Sequence, residues 1–457
     1  MKQSATNKLG TQSVGKLLVE LAVPSITAQI INMLYNLVDR IYIGHMPDGG
    51  TLALTGVGVC FPIITLISAF SSLIGTGGAP QAAIRMGEKN DKAAERILSG
   101  CVTVLLILSI ILTAIFLIFG RNLLLLFGAS TDTLPYALDY MNIYVIGTVF
   151  VMTSLGLNPF ISTQGFARTS MLTVIIGAVI NIILDPIFIF IFDMGVKGAA
   201  LATILSQCVS AIWVLRFLTG KRTTLRIKLS QMRPEKKYIF PVLALGMSPF
   251  IMESTESLLS ICFNASLQKF GGDLAVGSMT ILTSSMQILS LPLNGLTQGA
   301  QPIISYNYGA GNQERVQKAF RLLFISAISY SCTYWLLNML FPSFFVSLFS
   351  NTAELKSMAS WALRIYMGGC FITGVQTGCQ RTFVALGQAK ISLFLALLRK
   401  IILLIPMIYI FPLFIQDKVF AVFLAEPVAD ILAGCTTFTM FMLSFNKILK
   451  KRTSILG

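Results

Sequence analysis

The chain has 457 residues, of which 55% are hydrophobic and only 12% are charged, and its mean hydropathy is +0.78. Soluble proteins carry about 25% charged residues, so the polar surface is too small for a solvated globular protein. No charged residue occurs between Arg96 and Arg121, a stretch longer than the roughly 20 apolar residues that cross a hydrocarbon layer as a helix. The composition therefore indicates an integral membrane protein.

The alternation of apolar runs and charged loops predicts an all-α integral membrane protein with twelve transmembrane helices. No cleavable signal sequence precedes the first apolar run, so we expect this run to be retained as a span. The predicted spans are 17–41, 52–75, 97–119, 136–157, 169–192, 198–218, 239–266, 274–296, 319–341, 359–380, 391–412 and 419–445.

The formal net charge of +15 is distributed unevenly between the two sides of the predicted topology. Placing the N-terminus and every second loop on one side collects 25 Lys and Arg there, against five on the other side. The positive-inside rule then predicts cytoplasmic termini in the cell (inner) membrane. We expect the basic excess to meet membrane lipids of the inner leaflet, not nucleic acid.

The sequence contains an internal repeat. Residues 49–97 and 271–319 align without a gap at an offset of 222, with nine identities that include Gly77/Gly299, Gly87/Gly309 and Asn90/Asn312. A repeat with an even number of spans enters from the same side each time, so we predict two six-helix lobes related by a pseudo-two-fold axis along the membrane normal. The predicted boundaries are 1–220 for the N-lobe, 221–238 for a solvated cytoplasmic linker and 239–457 for the C-lobe.

Two familiar kinds of site are disfavoured. The stretch from Gly10 to Lys16 matches the phosphate-binding pattern G-x-x-x-x-G-K, but Leu17 replaces the hydroxyl residue that would hold Mg²⁺. All eight cysteines fall within predicted spans and show no C-x-x-C spacing, so no metal site is expected. We therefore predict a protein that is not an enzyme and needs no cofactor.

Ionisable groups at membrane depth are costly and call for a functional explanation. Asp39 lies in the first predicted span. Asn181 and Asp185 lie one helical turn apart in the fifth, where Pro186 bends the helix and frees a carbonyl group. Two carboxylates that share a low-dielectric pocket resist ionising together, so we expect Asp39 and Asp185 to be coupled.

The second half also carries intramembrane charges. Glu253 and Glu256 form an i, i+3 pair with no basic residue near them in sequence, so we expect a cavity-lining role, with Glu256 favoured because it lies deeper. Opposite charges in the last two spans predict a structural network between helices. Its members are Arg399, Lys400, Glu426 and Asp430.

Several motifs resemble the multidrug and toxic compound extrusion (MATE) family, and most of all its MepA-like branch. They cover nearly the whole chain. The matching stretches are 34–44, 53–58, 181–189, 194–207, 298–309 and 425–427.

The resemblance implies a V-shaped antiporter of two lobes that exports lipophilic cationic small molecules in exchange for H⁺ or Na⁺. By motif it implies an N-lobe cation or proton-coupling site, which could also bind Na⁺, and Glu256, with adjacent Glu253, as a possible C-lobe substrate site. We expect the transporter to act as a monomer. The implied N-lobe residues are Asp39, Tyr140, Asn181, Asp185 and Thr203.

Other functions stay open at this stage. A flippase for lipid-linked oligosaccharide precursors is the main alternative, since relatives in the same superfamily have similar two-lobed folds. Its cavity would have to be cationic to hold a diphosphate, and Arg364, Arg399 and Lys400 could contribute to such a cavity. A membrane-embedded enzyme is a third class, for which we found no constellation of catalytic residues.

Overall fold

The computed structural model describes residues 8–46, 50–347, 349 and 353–456, which form helices joined by short turns. The N-lobe, as we use the term here, comprises seven helices: α1 (Val14–Gly44), α2 (Gly50–Gly87), α3 (Asp91–Leu126), α4 (Leu134–Ile146), α5 (Thr148–Thr163), α6 (Ala167–Pro186) and α7 (Gly195–Thr219). The C-lobe comprises eight: α8 (Lys236–Gly309), α9 (Gln313–Leu340), α10 (Pro342–Ser347), α11 (Ala353–Tyr366), α12 (Thr373–Ala385), α13 (Ala389–Leu397), α14 (Ile405–Phe414) and α15 (Lys418–Leu456).

These helices supply the twelve predicted spans. Nine helical stretches of the described chain are long and apolar enough to cross a membrane, and α4 with α5, which meet at an angle of 58°, form a tenth crossing. The 74 residues of α8 would extend about 110 Å as a straight helix. A φ of 64° at Gly272 breaks α8 into two spans. The remaining one of the twelve spans is made by α11 and α12 together, which are joined by the 3₁₀ segment Met367–Ile372.

Each lobe has its own hydrophobic core. One core gathers residues of α2 to α5 and α7, and another gathers residues of α8, α9, α11 and α15. A third cluster joins the lobes: Leu17, Leu18 and Leu21 of α1 pack with Ile303 and Ile304 of α8. The start of α8 does the reverse, because Val242 packs into the N-lobe core. The first part of each lobe's first helix thus packs against the other lobe.

The two lobes meet along a seam of small residues at the end of the molecule that carries the basic loops. Gly77 of α2 lies against Val242 and Gly246 of α8, and Gly299 of α8 lies against Ala22 of α1. Farther along, Gly87 and Gly309 bring the ends of α2 and α8 together. Small residues allow helix backbones to approach this closely. Their repetition in both halves of the sequence therefore has a structural cause.

Beyond the seam the side chains of α1 become more exposed, and from this we infer that the lobes diverge and leave a cleft at the opposite end of the molecule. In α1, Leu17 and Leu21 are buried in the seam, whereas Leu34 and Leu37, farther along the helix, are half exposed. The hydrogen bond from Gln29 Nε2 to Gln298 Oε1 (3.3 Å) lies near the boundary between the two regions. Residues of α1 beyond this point face the cleft or the membrane.

Both terminal segments cross the seam. Arg452, near the end of α15, donates hydrogen bonds to Glu88 of the N-lobe and to the carbonyl oxygen of Gly309 (3.0 Å). Arg315 of α9 donates from Nη2 to the carbonyl oxygens of Leu9 (3.0 Å) and Gln12 (2.7 Å). The stretch that matched the phosphate-binding pattern is therefore held against the C-lobe, and these bonds brace the closed end of the cleft.

The segment between the lobes is anchored to the N-lobe at a few points, while most of its charged side chains are exposed. The side-chain oxygen Oε1 of buried Gln164 accepts hydrogen bonds from Thr223 Oγ1 (2.8 Å) and from the backbone N–H of Leu225 (2.9 Å). Lys228 forms an ion pair with Glu95 of α3. These contacts attach the segment to the N-lobe. The boundaries at residues 220 and 239 stay a prediction.

The Asn residues of the repeat are helix caps. Asn90 accepts a hydrogen bond from the N–H of Ala93 (3.1 Å), and Asn312 accepts one from the N–H of Arg315 (3.1 Å). The helices that they begin are the long spans α3 and α9.

Candidate cation site in the N-lobe

The site is built around a bend in α6. Pro186 has no N–H to donate to the helix, and the helix continues past it as the π-helical segment Ile187–Ile191. Asn181 and Asp185 lie one turn apart on the buried face just before this bend, with 1% and 0% of their surface exposed. Asn181 Nδ2 donates hydrogen bonds to Asp185 Oδ1 (3.1 Å) and to Thr203 Oγ1 of α7 (3.4 Å). The polar groups of α6 and α7 are therefore mutually oriented.

Asp39 completes the site from α1, which packs against α6. The carboxyl groups of Asp39 and Asp185 lie close enough to act on each other. Two carboxylates at such close quarters resist ionising together, so a proton bound to one of them would relieve their repulsion. Three buried oxygens, Asp39 Oδ1, Asp185 Oδ2 and Asn181 Oδ1, have no hydrogen-bond partner in the described chain. The site thus presents buried oxygen atoms that a proton or a cation would satisfy.

Tyrosine side chains form one wall of the site. The hydroxyl of Tyr140, on α4, lies near Thr203 and Asp39, and its ring stacks on that of Tyr144 with centroids 5.9 Å apart. All five predicted N-lobe residues are therefore close together. Tyr35 of α1, which the sequence analysis missed, lies near both aspartates. Its position four residues before Asp39 placed it on the same helical face, and this was the available signal.

The acidic pair has no basic counter-charge in close contact. None of the ion pairs found among the described residues includes Asp39 or Asp185. Arg40 follows Asp39 in sequence, but it is exposed and its guanidinium lies 5.7 Å from the centre of the Phe61 ring. Among the described residues, therefore, no basic side chain forms an ion pair with these two carboxylates, and the charge of Arg40 acts on Asp39 only from a distance.

The donor atoms suit a hard monovalent cation. Carboxylate, amide and hydroxyl oxygens come from Asp39, Asp185, Asn181 and Thr203, and oxygen ligands are those that hard cations prefer. In the part of the chain that the structure describes, no group of three or more His, Cys, Asp or Glu is placed to hold a metal ion. A proton or Na⁺ therefore fits the chemistry of this donor set.

The charged groups of the C-lobe are arranged differently from the prediction. Lys400 donates to Glu256, and not to the acidic residues of α15 as expected; it also donates to the carbonyl oxygen of Met252 (2.8 Å). Glu256 therefore has a basic partner, 144 residues away in sequence. Glu253 accepts a hydrogen bond from Ser72 Oγ of α2 (2.6 Å), which places it at the contact between the lobes.

The remaining C-lobe charges form the structural network that we predicted. Arg399 donates from Nε to Asp430 Oδ1 (2.7 Å) and from Nη2 to Glu426 Oε1 (3.1 Å). The side chains of Glu426 and Asp430 are only 6% and 2% exposed. This network joins the π-helical segment Leu398–Leu404, which follows α13, to α15.

We expect Glu426→Gln to lower stability and to leave transport by the folded fraction intact. The change removes one of the two carboxylates that neutralise largely buried Arg399. Removing the sole partner of a buried charge costs about 3 to 5 kcal/mol, and the loss should be smaller here because Asp430 remains. Melting curves in detergent should shift to lower temperature, while dye efflux per folded molecule stays near the wild-type rate. Loss of efflux at wild-type stability would place Glu426 in the transport machinery.

Comparison with known proteins agrees with the fold and with the internal repeat. The MatE family model matches residues 24–187 and again residues 249–410. The multidrug export protein MepA of Staphylococcus haemolyticus (strain JCSC1435) is 24% identical over 430 residues, which are 94% of each chain.

Solved structures share the fold. One shows the outward-facing conformation of a multidrug resistance MATE family transporter of the MOP superfamily; it has a TM-score of 0.90 and 23% identity and covers 98% of this chain and 100% of its own. Another is a MOP superfamily transporter from Pyrococcus furiosus Vc1, described as having a binding pocket of reverse polarity that suggests a different function. Its TM-score is 0.91 at 23% identity, covering 98% of this chain and 99% of its own. With two matches that together span most of its length, the chain belongs to the MatE family, whose members are transporters and not enzymes.

Proposed function

We propose that this protein is a secondary active multidrug efflux antiporter, which exports lipophilic organic cations in exchange for H⁺ or Na⁺ by alternating access. The observation that carries the proposal is the pair of partly buried Asp39 and fully buried Asp185, whose carboxyl groups lie near each other and form no ion pair with a basic residue of the described chain. The multidrug export function of the MepA relative supports the same conclusion.

Exchange follows from competition for the acidic pair. With a proton between the two carboxyl groups, the pair carries one negative charge in place of two. A drug cation or Na⁺ near the pair favours the fully ionised form and promotes release of the proton. Because each ligand lowers the affinity for the other, a gradient of one can drive transport of the other.

Alternating access would be provided by the seam and the cleft. The cleft opens at the end opposite to the basic loops, and the positive-inside rule places that end outside the cell. The structure would then correspond to the outward-facing conformation, as in the MATE transporter of similar fold. Separating the seam glycines while closing the cleft would turn the acidic pair toward the cytoplasm.

Orientation can be tested by labelling. We expect a cysteine at exposed Lys221, in an otherwise cysteine-free protein, to react with an impermeant maleimide only after cells are opened. A cysteine at exposed Lys269, one turn before the break at Gly272 between the two arms of α8, should react in intact cells. The reverse pattern would show that the termini lie outside the cell.

The arrangement of charges favours a lipid-precursor flippase less than it favours a cation antiporter. The neighbour from Pyrococcus furiosus shows that pocket polarity has to be judged separately from the fold. Here the N-lobe site is acidic, and in the C-lobe both Arg399 and Lys400 are paired with carboxylates. Arg364 is exposed on α11 and adds a single charge. The charge of Arg381 on α12 is opposed by that of nearby Glu253, so a diphosphate would find most of these basic groups already matched by carboxylates.

Transport in proteoliposomes tests the proposal. ΔpH and ΔNa⁺ are imposed separately on proteoliposomes that contain the purified protein. One of these gradients alone should drive movement of a cationic dye, and the gradient that does so identifies the coupling ion. ATP should not be needed. Dye movement that requires ATP after every ion gradient has been collapsed would refute secondary antiport, and scrambling of a lipid diphosphate without dye movement would favour the flippase.

A further inference from the structure

The two lobes use the same pair of helices for different charge arrangements. In the N-lobe, α1 and α6 hold two carboxylates; in the C-lobe, the corresponding elements are the first arm of α8 and the α13–α14 stretch. Aligning Pro24 with Pro249 places Asn264 opposite Asp39, and aligning Pro186 with Pro406 places Ile405 opposite Asp185. The C-lobe therefore lacks an acidic pair at the matching level. Its carboxylate on the first helix, Glu256, lies about two helical turns nearer the seam.

Glu256 lies at the floor of the cleft. One turn before it, Glu253 accepts the hydrogen bond from Ser72 of α2, and Phe250 packs against Phe70 with ring centroids 4.9 Å apart. The lobes separate beyond these contacts, and the Glu256 side chain is 62% exposed. A carboxylate that faced hydrocarbon would be very costly, so the exposed side of Glu256 faces the water of the cleft.

The other side of Glu256 is held by a lysine of its own chain. Lys400 is only 3% exposed, and its ammonium group lies between Glu256 and the carbonyl oxygen of Met252. It comes from the π-helical segment Leu398–Leu404, in the helix that corresponds to α6. Neighbouring Arg399 is already neutralised by Glu426 and Asp430. Lys400 is therefore the basic group that neutralises Glu256.

We propose that Lys400 acts as a tethered cation, which occupies Glu256 and prevents the C-lobe from binding a second transported cation. The inference builds on the proposed function, since it concerns the class of cation that the N-lobe pair would bind. In the wild-type protein, a lipophilic cation in the cleft must displace a covalently attached ammonium group to reach Glu256. One cation then binds at the N-lobe pair, and the C-lobe wall stays neutral.

Replacing Lys400 by methionine tests this role, because methionine keeps an unbranched side chain and removes the charge. Equilibrium binding of tetraphenylphosphonium to purified protein should show one site in the wild type and two in Lys400→Met. The additional site should disappear in the double variant Glu256→Gln, Lys400→Met. Lys390→Met, at an exposed position near the start of α13, is the matched control and should keep one site.

The outcomes discriminate clearly. A Lys400→Met protein with a single site, or a wild-type protein that already has a site removed by Glu256→Gln, would overturn the proposal. If folded Lys400→Met protein is obtained only when tetraphenylphosphonium is present during purification, the proposal is supported. If folded Lys400→Met protein is obtained neither with nor without the probe, while the double variant folds in both conditions, the ion pair is purely structural and the proposal is overturned.

The test is separable from the proposed function. On an Asp39→Asn, Asp185→Asn background, Lys400→Met should still gain a site that depends on Glu256. If the N-lobe of the wild-type protein does not bind the probe, the proposed function is contradicted. The gain of a Glu256-dependent site in Lys400→Met would not be affected by that outcome.

Discussion

Asp39→Asn and Asp185→Asn are each expected to reduce gradient-driven efflux to background while leaving folding and membrane insertion largely intact. Asparagine fills nearly the same volume and can donate a hydrogen bond to the remaining carboxyl group, so the contact between α1 and α6 is preserved. It cannot exchange a proton, and the coupling is lost. Efflux of a cationic dye from proteoliposomes and the melting temperature in detergent should be measured on the same preparations.

Asp139→Asn is the matched control for these substitutions. Asp139 lies on α4 of the same lobe, but it is largely exposed and pairs with exposed Lys197. Such a surface pair contributes little to stability, and its loss should leave efflux near the wild-type rate. Full efflux by Asp39→Asn, or equal loss by Asp139→Asn, would remove the acidic pair from the mechanism.

A second large effect is expected at the seam: Gly77→Val should abolish transport by preventing closure of the end that carries the basic loops. A Cβ atom at Gly77 would lie 2.3 Å from the carbonyl oxygen of Val242, a distance that backbone atoms cannot relieve without moving the helices apart. Dye efflux should fall to background. The native thiol of Cys379 is buried in the cluster that joins the lobes. In a background without the other cysteines, it should react faster with a thiol reagent in Gly77→Val than in the protein with Gly77.

Gly58→Val on the same helix provides the comparison. A Cβ atom at Gly58 meets nothing within 4 Å, so this variant should transport normally, with only the small change in helix propensity. Normal efflux by Gly77→Val would mean that close approach of α2 and α8 is not needed for the transport cycle.

The sequence predicted the spans and the proximity of the N-lobe residues well because both depend on local patterns. Apolar runs between charged residues located each crossing, and the helical spacing of Asn181 and Asp185 together with the family motifs brought the site residues together. The helix ends were less predictable. The second span was expected to end at residue 75, yet α2 continues to Gly87 because its last turns pack on the C-lobe outside the apolar run.

Contacts between distant residues were beyond the reach of these patterns. Lys400 lies beside Arg399 in sequence and was assigned to the same acidic partners, but adjacent residues on a helix point about 100° apart. Lys400 therefore reaches Glu256 on α8 while Arg399 reaches α15. The docking of the linker depends on Gln164, a single buried amide whose role follows only from tertiary packing.

The most direct test of the central claim is proton release when a drug cation binds to purified protein. In weakly buffered detergent solution, a pH indicator should report release on addition of tetraphenylphosphonium to the wild type. We expect the Asp39→Asn, Asp185→Asn double variant to release no protons, because the shared proton and its site are gone. Undiminished release from the double variant would contradict the account and move the coupling site elsewhere, with Glu256 as the next residue to test.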